Sequence, residues 1–274
     1  LEAILEEDIS EIELLVGGPP CQPFSAASMQ RYLKIDDIYK KKGFKDDELG
    51  TLLWEYMRMI EAISPKCFIV ENVPDFISGD NKQEYELFVQ RVEDEGYQTA
   101  TKVLLTSDFG VPQNRKRAFI IGWKKTLKKG FSFPEKTHFS KPCVGQKKKV
   151  GVAQALYGID VDCVNHITRE HKPESIQRYK TLTVGKREPR GRVDRLDPYL
   201  PGKTVIAGGK NGGGRSHLHP FEARTLSPRE SARIQTFPDE YIFTGTIGRQ
   251  FTQIGNAIPP LIGEILGRQI GRAF

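Results

Sequence analysis

Four residues combine side chains and surroundings suited to making and breaking bonds. Cys21 stands in Gly17-Gly18-Pro19-Pro20-Cys21-Gln22-Pro23-Phe24-Ser25, directly after the apolar run Ile12 to Val16. Prolines fix φ and lack an N–H, so the backbone beside this thiol is stiff and cannot continue a ladder or a helix. A nucleophilic thiol needs an acid or base partner, and Glu71 follows a second apolar run, Phe68-Ile69-Val70. Gln113-Asn114-Arg115-Lys116-Arg117 then precedes a third run and places two arginines at alternate positions, where an extended backbone projects both to one side. A thiol and a carboxyl at two strand ends are the means of nucleophilic catalysis with an acid or base partner. Cys67, inside a strand-like run, reads instead as a small buried hydrophobe.

The elements that must hold these residues follow from periodicity. Residues 12–16 read as a short buried strand. A helix is expected over 51–63, with Leu52, Leu53, Tyr56, Met57, Ile60 and Ile63 on one face and Ser64-Pro65 ending it. Residues 67–70 read as the next strand, and 83–95 as a helix with Leu87, Phe88 and Val92 inward and Gly96 as its stop. Strands follow near 103–105 and 118–123. Alternating strands and helices predict an α/β fold with a mostly parallel sheet, and ligands on such sheets sit beyond the carboxyl ends of the strands, where Cys21 and Glu71 fall.

After Trp123 the texture changes to prolines, glycines, lysines and short β-like pieces, which sets a domain boundary there. Domains are expected at 1–123 and 124–252, with 253–274 a C-terminal segment returning to the first. No helical period is visible after 124 until Ser227-Pro228-Arg229-Glu230, which has the pattern of a capping box with proline at the first helical position. The last helix, 261–272, carries Gly263, Gly267 and Gly271 at four-residue spacing, so that face is expected to lie close against another element, the sheet being the natural one.

The 274 residues hold 41 Lys plus Arg against 35 Asp plus Glu, a net charge of +6. The excess concentrates at Lys124 to Lys149 and Tyr179 to Lys210, a field that suits a polyphosphate partner. No apolar run approaches the roughly 20 residues of a membrane span, and Leu1 to Glu7 is acidic, unlike a secretion signal. The expected location is cytoplasmic (a bacterial nucleoid) or nuclear. The four cysteines form no CxxC pair and have no histidine at ligand spacing, so no metal site is expected.

Taken together, Gly17 to Ser25, Glu71-Asn72-Val73, Gln113 to Arg117, the stretch "RTLSPRESARIQTFPDEY" from Arg224 to Tyr241, and "QIGNAIPP" from Gln253 to Pro260 resemble the DNA (cytosine-5)-methyltransferases, with the motifs in that family's order across nearly the whole chain. The resemblance implies a Rossmann-like S-adenosylmethionine-dependent methyltransferase sheet with a smaller, mostly irregular or β target-recognition domain. It implies methyl transfer from S-adenosyl-L-methionine to C5 of a cytosine turned out of double-stranded DNA, as in restriction-modification enzymes. Cys21 is then the nucleophile at C6. Glu71 binds or protonates N3, and Arg117 with Arg115 stabilises charge near O2 and phosphate. Gln22 and Ser25 sit near the cytosine and its backbone, at the hinge of a loop over 25–49. Thr204, in the glycine-rich "GKTVIAGGKNGGG", contacts DNA phosphate. A nucleotide P-loop reading of that stretch fails because its first glycine would fall at Asp197.

The resemblance gives Asp8, Pro20, Asn256 and Ile258 to the S-adenosylmethionine pocket. The family's opening strand with its Phe-x-Gly-x-Gly turn is missing before the cysteine motif. The strand at 12–16 is therefore expected to present an open edge. A complementary polypeptide supplying the missing motifs is one expectation, and weak activity of this chain alone another. Two alternatives stand beside DNA methylation: a transfer-RNA cytosine-5 methyltransferase, and a non-catalytic DNA-binding subunit of a split enzyme.

Overall fold

In the computed structural model, residues 12–19, 52–79, 82–127, 129–188, 193–207 and 217–274 are described. They belong to two compact units, each treated by itself. One draws on 1–104, Lys116–Phe133 and Arg268–Phe274, the other on Leu105–Arg115 and Pro134–Gly267.

The first unit is built around a four-stranded sheet in the order β1-β2-β5-β3, formed by β1 (Leu14–Gly17), β2 (Cys67–Asn72), β3 (Tyr97–Leu105) and β5 (Lys116–Lys124). Helix α1 (Leu52–Ile63) buries Leu53, Tyr56, Met57, Ile60 and Ile63 as its periodicity predicts, while Leu52 stays 38% exposed. It stops where Ser64 takes a positive φ of 50° ahead of Pro65. Helix α2 (Lys82–Asp94) turns Phe88 and Val92 inward but leaves Leu87 half in solvent, a correction to the expected face. Both helices cover the sheet face of Phe68, Val70 and Ile120, where the Phe68 ring meets Tyr56, Phe88 and Tyr97 edge to face.

Three expectations about this sheet are revised. β2 runs on through Glu71 and Asn72, so the candidate acid lies within the strand and not after it. β1 pairs with β2 in parallel but β2 pairs with β5 antiparallel, so the sheet is mixed rather than mostly parallel. β1 is not buried: Leu14 and Val16 are 39% and 54% exposed. Among the described residues it is the sheet's edge strand, which accounts for that exposure.

The second unit has little sheet. β4 (Gln113–Asn114) pairs with β9 (Gly202–Lys203), β6 (His138–Phe139) with β7 (Lys147–Lys148), and β8 (Asp194–Arg195) with β10 (His217–Leu218), all in parallel. Two short helices, α3 (Val152–Leu156) and α4 (Pro173–Thr181), interrupt a stretch where no helical period was expected. Each is too short to show a full amphipathic repeat. Helix α5 (Pro228–Ile234) opens with the expected capping box: the Ser227 hydroxyl accepts from the Glu230 N–H, and the Glu230 carboxylate accepts from the Ser227 N–H.

Helices α6 (Ile247–Asn256) and α7 (Pro260–Ala273) close the chain. In α7 the buried stripe is Ile262, Leu266 and Ile270. Gly263, Gly267 and Gly271 share that four-residue spacing but face outward, with no heavy atom of the described residues within 4 Å of where their Cβ atoms would stand. The expected close packing of the glycine face is therefore corrected: burying three branched aliphatic side chains outweighs the closer approach that glycine allows.

Candidate active site

Glu71 and Arg117 meet because of sheet register. Glu71 is paired with Phe119 across the antiparallel β2–β5 ladder, and Arg117 lies two residues from Phe119, so both side chains leave the same face as diagonal neighbours. The Arg117 Nε stands 2.8 Å from Glu71 Oε1, with the side chains only 18% and 10% exposed. The guanidinium also donates to the Lys116 carbonyl at 2.7 Å. An ion pair withdrawn from water to this degree is held in one geometry and is costly to leave half-made.

The end of β1 is fixed beside this pair. The Tyr56 hydroxyl reaches the carbonyl of Leu15 in β1 at 3.1 Å and that of Ile69 in β2 at 3.0 Å, bridging the two strands. Its ring fills the place beside Gly17, where a Cβ would come within 2.3 Å of Tyr56 Cε2; only glycine fits there. A Cβ on Gly18 would stand 3.3 Å from Glu71 Oε2, and Asn72 Nδ2 donates to the Pro19 carbonyl at 3.5 Å. Gly18 and Pro19, the residues leading toward Cys21, thus run along the carboxyl end of β2. Cys67, by contrast, is buried in β2, and burial pushes its thiol up to about 11, which suits a packing role and not a nucleophile.

In the second unit Arg115 is 1% exposed and donates through Nη1 to the Gly255 carbonyl at 2.9 Å and the Val205 carbonyl at 3.4 Å. These carbonyls belong to two segments of the second unit. Gln113 accepts from the Val205 N–H at 2.8 Å and donates to Gln235 Oε1 at 2.8 Å, and Gln235 donates to the Ile254 carbonyl at 2.7 Å. The Thr204 hydroxyl, half-exposed, donates to the Asn114 carbonyl at 3.1 Å. Asn256 is exposed at the last residue of α6, and Ile258 half-buried beyond an extended Ala257. An amide and an aliphatic side chain two residues apart suit a ligand with both polar and flat apolar parts.

The stretch from Arg224 to Tyr241 is mostly framework. Arg224 grips the Glu230 carboxylate with two nitrogens, at 2.8 Å and 2.7 Å. Arg229, fully buried, donates to the carbonyls of Val164, Pro238 and Tyr241. Burial opposes the Glu230 carboxylate, but the Arg224 guanidinium and the Ser227 N–H win and hold it below the usual range. Arg229, Gln113 and Gln235 lay in quoted motifs without a role of their own and Tyr56 only on the apolar face of the first helix; nothing local marks the two glutamines as buried.

Of the expected site residues, Glu71, Arg115, Arg117, Thr204, Asn256 and Ile258 are placed as above. Asp8, Pro20, Cys21, Gln22 and Ser25 lie outside the described residues, as does the loop at 25–49. Among the described residues no cluster of metal-ligating side chains occurs, and no helix is long and apolar enough to cross a membrane.

Comparison with known proteins follows the same outline. The chain is 32% identical over 301 aligned residues to the Type II methyltransferase M.PspPI of Psychrobacter, covering 98% of this chain and 68% of that protein. It is 31% identical to M.NgoFVII of Neisseria gonorrhoeae, covering 94% and 72%. A prophage-encoded DNA modification methyltransferase from E. coli superposes with a TM-score of 0.76 at 24% identity, covering 99% and 82%, and the S. pombe Dnmt2 methyltransferase with 0.57 at 15%, covering 96% and 82%. These two show a shared fold. The family model for C-5 cytosine-specific DNA methylase matches residues 2–272, and the chain belongs to that family of DNA cytosine methyltransferases.

Proposed function

We propose that the protein transfers a methyl group from S-adenosyl-L-methionine to C5 of a cytosine turned out of double-stranded DNA, through a covalent bond between Cys21 and C6. The observation that carries this reading is the Glu71–Arg117 pair, buried on one sheet face at the end of β2, with the β1 segment leading to Cys21 running beside it. The target atoms are stacked inside a duplex, so the base must leave the stack to reach such a pocket.

The Cys21 thiolate forms a bond to C6, and the C5–C6 electron pair becomes available at C5. Glu71 holds N3 and supplies its proton as charge moves there, while Arg117 stabilises the developing charge at O2. S-adenosylmethionine, when bound, supplies an electrophilic sulfonium methyl. After C5 is methylated, a base removes the C5 proton, the C5–C6 double bond re-forms, N3 returns its proton to Glu71 and the thiolate leaves. Covalent catalysis divides one hard step into two easier ones.

Asn256 and Ile258 would help hold the methyl donor, together with Asp8 and Pro20. Thr204 would contact phosphate in the second unit, which serves as the target-recognition domain, and Gln22 and Ser25 the flipped nucleotide and its backbone. Arg115 would assist Arg117 in stabilising charge near O2 and phosphate, besides fastening backbone segments of the second unit through carbonyls. The outer edge of β1, unpaired among the described residues, is where further strands of the donor-binding sheet would add, including any from a complementary polypeptide. The Type II methyltransferase names of the relatives above 30% identity favour DNA over transfer RNA. Retention of a desolvated Glu–Arg pair favours catalysis over binding alone.

The test is nucleoside analysis of DNA from cells producing the full-length protein. 5-Methylcytosine should appear with the wild type and be absent with Glu71→Ala; its equal presence with both, or methylation of RNA only, overturns the reading.

A further inference from the structure

Two backbone segments of the second unit are fastened to each other through three buried side chains, Gln113, Gln235 and Arg115. Val205 follows Thr204, the proposed phosphate contact. Residues Ile254, Gly255 and Ala257 flank Asn256, a proposed contact to the methyl donor. The Val205 N–H donates to Gln113 Oε1, Gln113 Nε2 donates to Gln235 Oε1, and Gln235 Nε2 donates to the carbonyls of Ile254 at 2.7 Å and Ala257 at 3.4 Å. The Val205 carbonyl is reached by Arg115, whose Nη1 also takes the Gly255 carbonyl. The backbones themselves touch: a Cβ on Gly255 would lie 2.2 Å from the Ala207 nitrogen and 2.5 Å from the Ile206 carbonyl carbon.

Gln113 and Gln235 are both fully buried, at 0% exposure. Each amide uses its oxygen for one segment or for the other glutamine and its nitrogen for the next link, so the chain of donors and acceptors has one direction. In a desolvated setting such a relay tolerates little independent motion, because a shift at either end leaves a buried amide or carbonyl unpaired.

We propose that Gln113 and Gln235 are positioning residues that couple the DNA-contacting turn at Thr204 to the donor-contacting segment at Asn256 and Ile258, so that occupancy of one site orders the other. The proposal rests on the roles given to Thr204, Asn256 and Ile258 above. Neither glutamine touches substrate or donor; both act through backbone groups. Gln113→Glu and Gln235→Glu cut different links of the relay. The first keeps the acceptor for Val205 and loses the donor to Gln235. The second keeps the acceptor for Gln113 and loses the donors to Ile254 and Ala257.

The experiment measures S-adenosylhomocysteine binding by calorimetry, with and without saturating random-sequence duplex DNA, on the full-length protein. In the wild type DNA should tighten S-adenosylhomocysteine binding by about fivefold or more, the low end of usual coupling. In either variant that factor should fall toward one, while affinity for each ligand alone changes less. Asn256→Ala should weaken only S-adenosylhomocysteine and Thr204→Ala only DNA. If those controls fail, the site assignment is wrong; if they hold and Gln113→Glu keeps the wild-type coupling, the positioning role is wrong. Should the variants not fold, hydrogen exchange on the wild type decides: S-adenosylhomocysteine alone should slow exchange of the Val205 amide at least severalfold, and an unchanged rate overturns the coupling.

Discussion

Arg117 Nε and Glu71 Oε1 stand 2.8 Å apart because residue 117 is the diagonal neighbour of residue 71 across the β2–β5 ladder. The contact is set by strand register, so it is in place before any nucleotide arrives. That matters for a carboxyl that must meet a ring nitrogen at one distance and angle.

Glu71→Gln keeps the shape of that side chain and removes its proton-donating carboxyl. The methylation rate constant in a single turnover should fall by about 10²- to 10⁴-fold, the usual range for a general acid or base. Binding of S-adenosylhomocysteine should stay within about twofold of wild type. A loss confined to donor binding would show that Glu71 does not act on cytosine.

Gly17→Ala forces a Cβ into the Tyr56 ring, and overpacking of this kind costs about 1–3 kcal/mol. Tyr56→Phe keeps the ring and removes the bridge to Leu15 and Ile69, for roughly 1 kcal/mol. Urea unfolding should rank wild type above Tyr56→Phe above Gly17→Ala. Because both residues fix the strand leading to Cys21, both variants should also methylate more slowly than their stability alone requires.

His217, in β10 opposite Asp194, is 5% exposed, and burial pushes its imidazole down to about 4, with Lys203 adding to the effect and Asp194 opposing it. The unfolded chain takes up this proton near pH 6.5 and the folded chain only near 4, so the unfolded state binds more protons between them. The contribution of neutral His217 is complete above about pH 6.5 and is lost as pH falls toward 4, by at most about 3 kcal/mol. His138, His171 and His219 are lowered in the same direction by burial. The urea midpoint should therefore drop between pH 7 and pH 5, and drop less in His217→Gln. The carboxylates of Glu222, Glu230 and Asp239, held low by Arg224 and Arg233, lose their contribution only at more acid pH.

The outward glycines of α7 offer a gain. Gly267→Ala replaces an exposed mid-helix glycine where nothing among the described residues stands within 4 Å. It should raise stability by about 0.5–1 kcal/mol in chemical denaturation, as alanine does in helix interiors. A loss instead would mean that this face is covered in the working protein.

Features carried by short-range patterns were legible in the sequence. The apolar face of α1, the core strand of β2 and the capping box at Ser227 and Glu230 all follow from periods of 3.6 and 2 or from fixed spacings. The glycine stripe of α7 misled because Ile262, Leu266 and Ile270 repeat at the same interval, and spacing alone does not say which stripe is buried. The Gln113–Gln235 relay was illegible for another reason: it joins segments 19 to 122 residues apart, and no local signal marks a glutamine whose amide is spent on distant backbone. The direction of β5 likewise depends on how the chain crosses the sheet, which apolar runs do not encode.

The central claim is that Cys21 bonds to cytosine C6. Duplex DNA in which cytosine is replaced by 5-fluorocytosine tests it, because fluorine at C5 cannot be eliminated and the adduct is trapped. Incubated with S-adenosylmethionine, the full-length protein should give a covalent protein–DNA species by mass spectrometry, with Cys21 as the linked residue, and Cys21→Ser should give none. An adduct that survives Cys21→Ser, or wild-type methylation of unmodified DNA with no trapping at all, would contradict the account.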